Sequence, residues 1–190
     1  LILLNIAYSF GNEFNDKRKI VECLKTGNDK FVNVILGKLT PYILIFTSIA
    51  IFANVLMFDI MDFDLHSKIT SMITICFLFI MATCSISLFL FSIYSHLPII
   101  ISFISMFGSL GATFAGVTFP VNAMYKFFEK ISFLFPVRHF IVTTDCIRYE
   151  SHAFLYCWKS LIVLISFNIL IFVAAMLLKR KYKMMNMKYV

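Results

Sequence analysis

Residues 108–149 read GSLGATFAGVTFPVNAMYKFFEKISFLFPVRHFIVTTDCIRY. The run begins as an apolar helix with small residues at Gly108, Ala112 and Gly116, and breaks at Phe119-Pro120. Proline lacks an N–H and restricts the residue before it, so the helix cannot simply continue. Between this break and a second Phe-Pro-Val at Phe135, Pro136 and Val137, the residues Asn122, Lys126, Glu129 and Lys130 fall on one helical face. Met124, Phe127, Phe128, Ile131 and Leu134 fall on the other, a pattern that predicts an interfacial or re-entrant helix, wet on one side only. Arg138 and His139 follow the second proline directly, and Asp145, Arg148 and Glu150 complete a polar rim. A hydrophobic chain that stops in this way and then returns is shaping something at a membrane face.

The rest of the chain agrees. Hydrophobic residues make up 61 % of it and charged residues 14 %, against roughly 45 to 50 % and about 25 % in soluble domains. The expected fold is therefore an all-α polytopic membrane bundle. Of the seventeen lysines and arginines, six lie from Lys17 to Lys38 and five from Lys179 to Lys188. They flank apolar runs, where the positive-inside rule places them, so the net charge of +7 does not point to nucleic acid.

Working outward, residues 1–10 are apolar but span only about 15 Å as helix, which predicts the inner end of a truncated span. Residues 11–38 are polar and amphipathic and are expected on the cytoplasmic face. Gly27 suits a helix C-terminus and Asn28 a new N-cap, with Asp29 near the positive end of the dipole. A short second helix then turns Phe31, Val34 and Ile35 to one side. Residues 39–58, 69–94, 97–118 and 156–178 are the four expected full spans. An acidic loop at 59–66 lies outside, residues 119–155 form an outer re-entrant segment, and 179–190 form a cytoplasmic tail. The line Gly108, Ala112, Gly116 is spaced by four, so another helix can approach it closely. The same spacing serves packing within one bundle or between subunits.

The span cores 40–58, 70–94, 99–118 and 160–178 contain no acid, lysine, arginine or histidine. Ion-driven transporters generally need ionisable groups at depth, so energy for any transport has to come from elsewhere. A phosphate loop ending at Gly37-Lys38 fails, because Val32 and Leu39 stand where glycine and a hydroxyl residue are required. The four histidines lack ligand spacing, so no metal site is expected. Cys23, Cys76, Cys84, Cys146 and Cys157 form no CxxC and are expected to be packing residues, with no disulfide framework. Asn168, alone in an apolar span, is expected to bond a neighbouring helix.

Gly37-Lys38-Leu39-Thr40-Pro41-Tyr42, after an amphipathic segment, resembles the GKxxPY start of a membrane span in permeases of the type 2 ATP-binding-cassette exporter family. Residues 114–140 resemble that family's outer signature, in which a glycine-rich span ends at Phe119-Pro120, a methionine (Met124) follows, and Phe135-Pro136 with Arg138 precedes the last span. Two local departures are the lack of a Glu-x-x-x-Gly-Thr pattern before the coupling segment and Tyr125 after the signature methionine. The resemblance implies the C-terminal half of a six-span permease in the cytoplasmic membrane. It implies a coupling helix over 28–36 that docks on a separate ABC ATPase subunit, using Asn28, Asp29, Phe31, Val34 and Ile35. It also implies a second permease copy or homologue as partner, contact with membrane lipid, and no cofactor of its own, ATP being used by the partner. The uncharged, Phe- and Met-rich spans suggest an apolar or amphipathic cargo. Two other classes stay in play: a membrane-embedded transferase built on Arg138, His139 and Asp145, and a non-transporting scaffold.

Overall fold

Backbone amides inside lipid find no water, so long apolar runs are forced to satisfy themselves as helix. A computed structural model describes residues 1–14, 31–61, 69–94, 96–116, 124–149 and 153–187, and among the described residues there is helix and no strand. The helices are α1 (Ile2–Phe14), α2 (Phe31–Met61), α3 (Ile69–Ile93), α4 (Leu97–Phe114), α5 (Lys126–Ser132), α6 (Pro136–Tyr149) and α7 (Ala153–Met187). Four segments are long and apolar enough to cross a bilayer: Asn33–Leu56, Ile69–Ile93, Leu97–Phe114 and Cys157–Arg180. The all-helical bundle with four spans is thus as expected.

α3 is the centre of the bundle, packed against α1, α2, α6 and α7. Its middle, from Ala82 to Leu88, is buried on every side. Alanine, cysteine, serine and threonine dominate this stretch and let neighbouring backbones come close. Their hydroxyls are satisfied: Ser87 Oγ donates across to the Leu3 carbonyl of α1 at 2.8 Å, and Thr83 Oγ1 to Ile80 of its own helix at 2.8 Å.

The chain alternates direction, so the bundle has two ends. At the proximal end meet the C-termini of α1 and α3 and the N-termini of α2 and α4; the main core lies here, built on Ile6, Phe10, Leu39, Leu88, Phe91 and Leu178. At the distal end lie the N-termini of α3 and α7 with α5 and α6, over a smaller core of Met72, Ile75 and Ile147. The outward faces of α2 and α7 expose Leu44, Phe52, Phe172 and Met176. In a spanning protein these meet lipid tails, and their exposure is no liability.

Four details differ from the sequence expectation. The short helix expected before residue 37 is continuous with the span, and Pro41 sits inside α2. One glycine costs about 1 kcal/mol and one proline removes one hydrogen bond; a full break would strip a whole turn of its bonds. α4 ends at Phe114, and Gly116 lies beyond it at φ 97°, a left-handed conformation open to glycine. Cys146 and Cys157 are not independent packing residues: their sulfurs are joined as a disulfide, with the Cα atoms 6.6 Å apart. The chain turns back between α6 and α7, and that reversal brings together two cysteines that sequence spacing does not pair. Asn168 Nδ2 donates to Leu164 of its own helix at 2.9 Å, rather than to a neighbour.

Candidate functional site

Two constellations of polar side chains bind helices together, one at each end of the bundle. The proximal one is built on α2. Its first turns bury Ile35 and Leu39 in the main core, leave Val34 half-buried, and expose Leu36 and Gly37. Lys38, on a long flexible stem, reaches α1: its Nζ donates to the Ser9 carbonyl at 2.7 Å and stands 4.4 Å from the Phe10 ring centroid. Both contacts favour the cation, one by charge-assisted hydrogen bonding and one through the ring quadrupole. The Phe10 ring packs in turn on Phe91 of α3, with centroids 6.2 Å apart. Next to it a Cβ on Gly11 would fall into the Leu97 side chain of α4, which would have to turn aside to admit it. One short arc thus joins the ends of four helices. Tyr42 is half-buried against the same core, and Pro41 is exposed on α2.

Asn28 and Asp29 lie outside the described residues, and Phe31 is described only as the first residue of α2. Of the five expected docking residues, Ile35 is a core residue, 2 % exposed. It anchors the segment to the bundle and is not presented to a partner.

The distal constellation is the α5–α6 hairpin. α5 begins after Tyr125, just past Met124, and is only seven residues long, so its last carbonyls need partners from elsewhere. Backbone N–H groups of Phe133, Leu134 and Phe135 tighten the exit with i→i+3 bonds to Lys130, Ile131 and Ser132. Pro136 then opens α6, where its fixed φ suits a first helical position. This places Arg138 and His139 back over the end of α5. Arg138 Nη1 donates to the Glu129 carbonyl at 2.8 Å and to Ser132 Oγ, and the guanidinium lies 4.0 Å from the Phe133 ring centroid. His139 Nε2 is 3.0 Å from the Phe133 carbonyl, to which the neutral ring donates. Cations and donors at a helix C-terminus meet both its orphan carbonyls and its negative dipole end.

Both side chains are buried, Arg138 at 8 % and His139 at 3 % exposed. Burial lowers the Arg138 pKa, opposed by the Glu129 carboxylate. Burial likewise lowers that of His139; the Phe133 hydrogen bond opposes the shift and the Arg138 charge adds to it. Phe135 locks the hairpin to α4, with its ring 4.8 Å from that of Phe107 and 6.1 Å from that of Phe114. Gly111 makes the room: a Cβ there would stand 3.1 Å from Phe135 Cδ1. In the expected packing line, by contrast, Gly108 faces Leu3 of α1 at 3.9 Å from its notional Cβ, Ala112 is exposed, and Gly116 is past the helix end. Phe119 and Pro120 lie outside the described residues.

The structure does not bring His139 and Asp145 together. His139 is buried and committed to Phe133, and Asp145 is exposed six residues further along α6, on another face. Among the described residues no three metal-ligating side chains cluster. What the two constellations do chemically is tie helix ends to one another. The sequence reading missed Ser9, Phe10, Ser132 and Phe133; the last two sit six and five residues before Arg138, where an orphan helix end signals them, while Phe10 and Lys38 share no local periodicity.

No curated protein and no solved structure matches the chain significantly. The family model of the ABC-2 type transporters matches residues 2–144, from α1 through the hairpin into α6. With four apolar helices around it, that match places this multi-pass membrane protein, the permease part of an ATP-binding-cassette transporter, in the ABC-2 type transporter family.

Proposed function

We propose that this permease is an exporter that moves an apolar or amphipathic substrate such as a lipid, drug or lipid-linked glycan across the cytoplasmic membrane, driven by a separate ABC ATPase. The proximal end faces the cytoplasm and the distal end the outside. Residues 28–36 dock on the ATPase through Asn28, Asp29, Phe31 and Val34, with Ile35 holding the segment to the core. Two copies, or this chain and a homologue, enclose the path between them, and the α5–α6 hairpin, with Phe119, Pro120, Met124, Phe135, Pro136 and Arg138, closes its outer exit. ATP is bound by the partner and none by this chain.

The observation that carries the coupling is the Lys38 bridge. Residues 15–30 connect α1 to α2, and Lys38 of α2 holds Ser9 and Phe10 of α1. A push on the connecting segment therefore acts on both helices as one body, and through Phe91 on α3. The orientation is supported by the basic residues Lys179 and Arg180 near the proximal end of α7.

The test is reconstitution of the complex with its ATPase in liposomes, with fluorescent phospholipids and lipophilic dyes as probes. The double variant Phe31→Asp/Val34→Asp is expected to insert normally and to leave ATP hydrolysis running, while ATP-dependent movement of the probe falls at least tenfold. Undiminished movement by that variant contradicts the coupling role.

A further inference from the structure

Between the distal ends of α3, α6 and α7 lies a cavity of about 260 Å³. Ile75, Thr143, Ile147 and Cys157 form its floor and are buried, while Thr74 and Ile165 stand at its mouth and are exposed. We propose that this cavity binds one acyl chain of a glycerophospholipid.

A buried water needs two or more polar partners. Two of the cavity's four hydroxyls are used within their own helices: Thr74 Oγ1 donates to the Thr70 carbonyl at 2.8 Å and Thr143 Oγ1 to the His139 carbonyl at 2.7 Å, while Thr70 and Ser71 stand in the first turn of α3, toward the membrane face. The sulfur of Cys157 is held in the disulfide. The remaining wall, Leu78 and Leu161 above the isoleucine floor, is hydrocarbon. Water therefore has little to hold it, and an apolar space of even about 150 Å³ stays dry and takes up an apolar guest.

Depth then identifies the guest. The α3 wall runs from Thr70 to Leu78, the first turns of the span Ile69–Ile93. That places the cavity within about 12 Å of the distal end of the helix at 1.5 Å per residue, inside the hydrocarbon of one leaflet. At this depth the abundant apolar molecule is a lipid tail. The cavity is somewhat smaller than pockets for drug-sized ligands, which run from about 300 Å³ upward, and so fits one chain better than a compact polycyclic molecule. An acyl chain there packs against α3, α6 and α7 together, and so binds the base of the hairpin helix to the spans beneath it. The inference needs the membrane-spanning character of the chain and not the export reading, so it stands or falls without the ATPase.

The experiment uses the full chain in liposomes of synthetic phosphatidylcholine, one tail of which carries a mid-chain diazirine, with adducts mapped by peptide mass spectrometry after illumination. Adducts at Ile75, Ile147 or Leu161 are expected at no less than fivefold the yield at the outward-facing Phe52 and Phe172. Leu161→Trp fills the cavity and is expected to remove that excess. Thr74→Trp blocks the exposed mouth without touching the floor, and decides the matter should the first variant fail to fold. Equal yields at cavity and outward faces, meaning annular lipid only, overturn the proposal. So does a cavity excess that survives both tryptophans, and so does an unlabelled cavity that cross-links instead to a second copy of the chain.

Discussion

The two ends of the bundle are held by the same chemistry used in different ways. At each, one cation donates to a backbone carbonyl and lies against a phenylalanine ring: Lys38 on Ser9 and Phe10, Arg138 on Glu129 and Phe133. Arg138 closes a local turn, its carbonyl partner nine residues away, and while buried sets one nitrogen of its planar guanidinium between two acceptors and lies against a ring. Lys38 bridges 29 residues with a single point charge, partly exposed, between two helices that flank the segment expected to take the push. A rigid fork suits a joint that must hold one shape. A flexible ammonium suits one that must stay attached while its helices tilt.

The largest stability effect is therefore expected at the distal end. Arg138→Met removes a charged donor from the Glu129 carbonyl and the Ser132 hydroxyl, which keep only their bond to each other, and this costs about 2 kcal/mol. Its signature is a lowered melting temperature in detergent and faster proteolysis within the hairpin. Arg138→Lys is expected to recover only part of the loss, because an ammonium has no planar group to lie against the Phe133 ring; full recovery would erase the contrast between the two ends.

Lys38→Met should cost less stability, about 1 kcal/mol, since its carbonyl can find water at a partly exposed site. Its effect belongs in coupling: ATP-dependent probe movement falls severalfold with hydrolysis retained, and Lys38→Arg restores only part of it, because the charge is kept but the flexible ammonium is not. A variant that melts lower yet couples normally would make this contact merely structural.

How much of this was legible in the sequence follows from how local each feature is. The four spans and a short helix between the two proline motifs are written in runs and periodicities that a reader can count. The Phe10–Lys38 contact is not, because neither residue constrains the other until the bundle forms. Gly111 was hidden by its better-spaced neighbours Gly108 and Ala112, and only the arrival of Phe135 shows which glycine must stay small. Cys146 and Cys157 escaped notice for a similar reason: an apolar cysteine looks like any small packing residue until a chain reversal sets it opposite another.

A smaller effect separates the ends by pH. Burial holds His139 below its ordinary value of 6.5, so the folded hairpin binds fewer protons than the unfolded chain in the window beneath that value. Stability there rises with pH and is lost as pH falls through 6.5 and below. Protonation would also place a second charge beside Arg138, within reach of Glu129 and with Asp145 further along the exposed side of α6. Melting followed from pH 7.5 to 5 should therefore show a drop that His139→Gln, which keeps a donor to Phe133 but cannot titrate, flattens. An identical slope in the variant would assign the acid sensitivity elsewhere.

The central claim is that a cytoplasmic lever and an external closing hairpin sit on opposite sides of one bilayer. Single cysteines at Asn33 and Phe128, in a background with the five natural cysteines changed to serine, test it directly in sealed right-side-out vesicles with an impermeant maleimide. Phe128→Cys is expected to react in intact vesicles and Asn33→Cys only after the membrane is opened. Reaction of both from the same side contradicts the account.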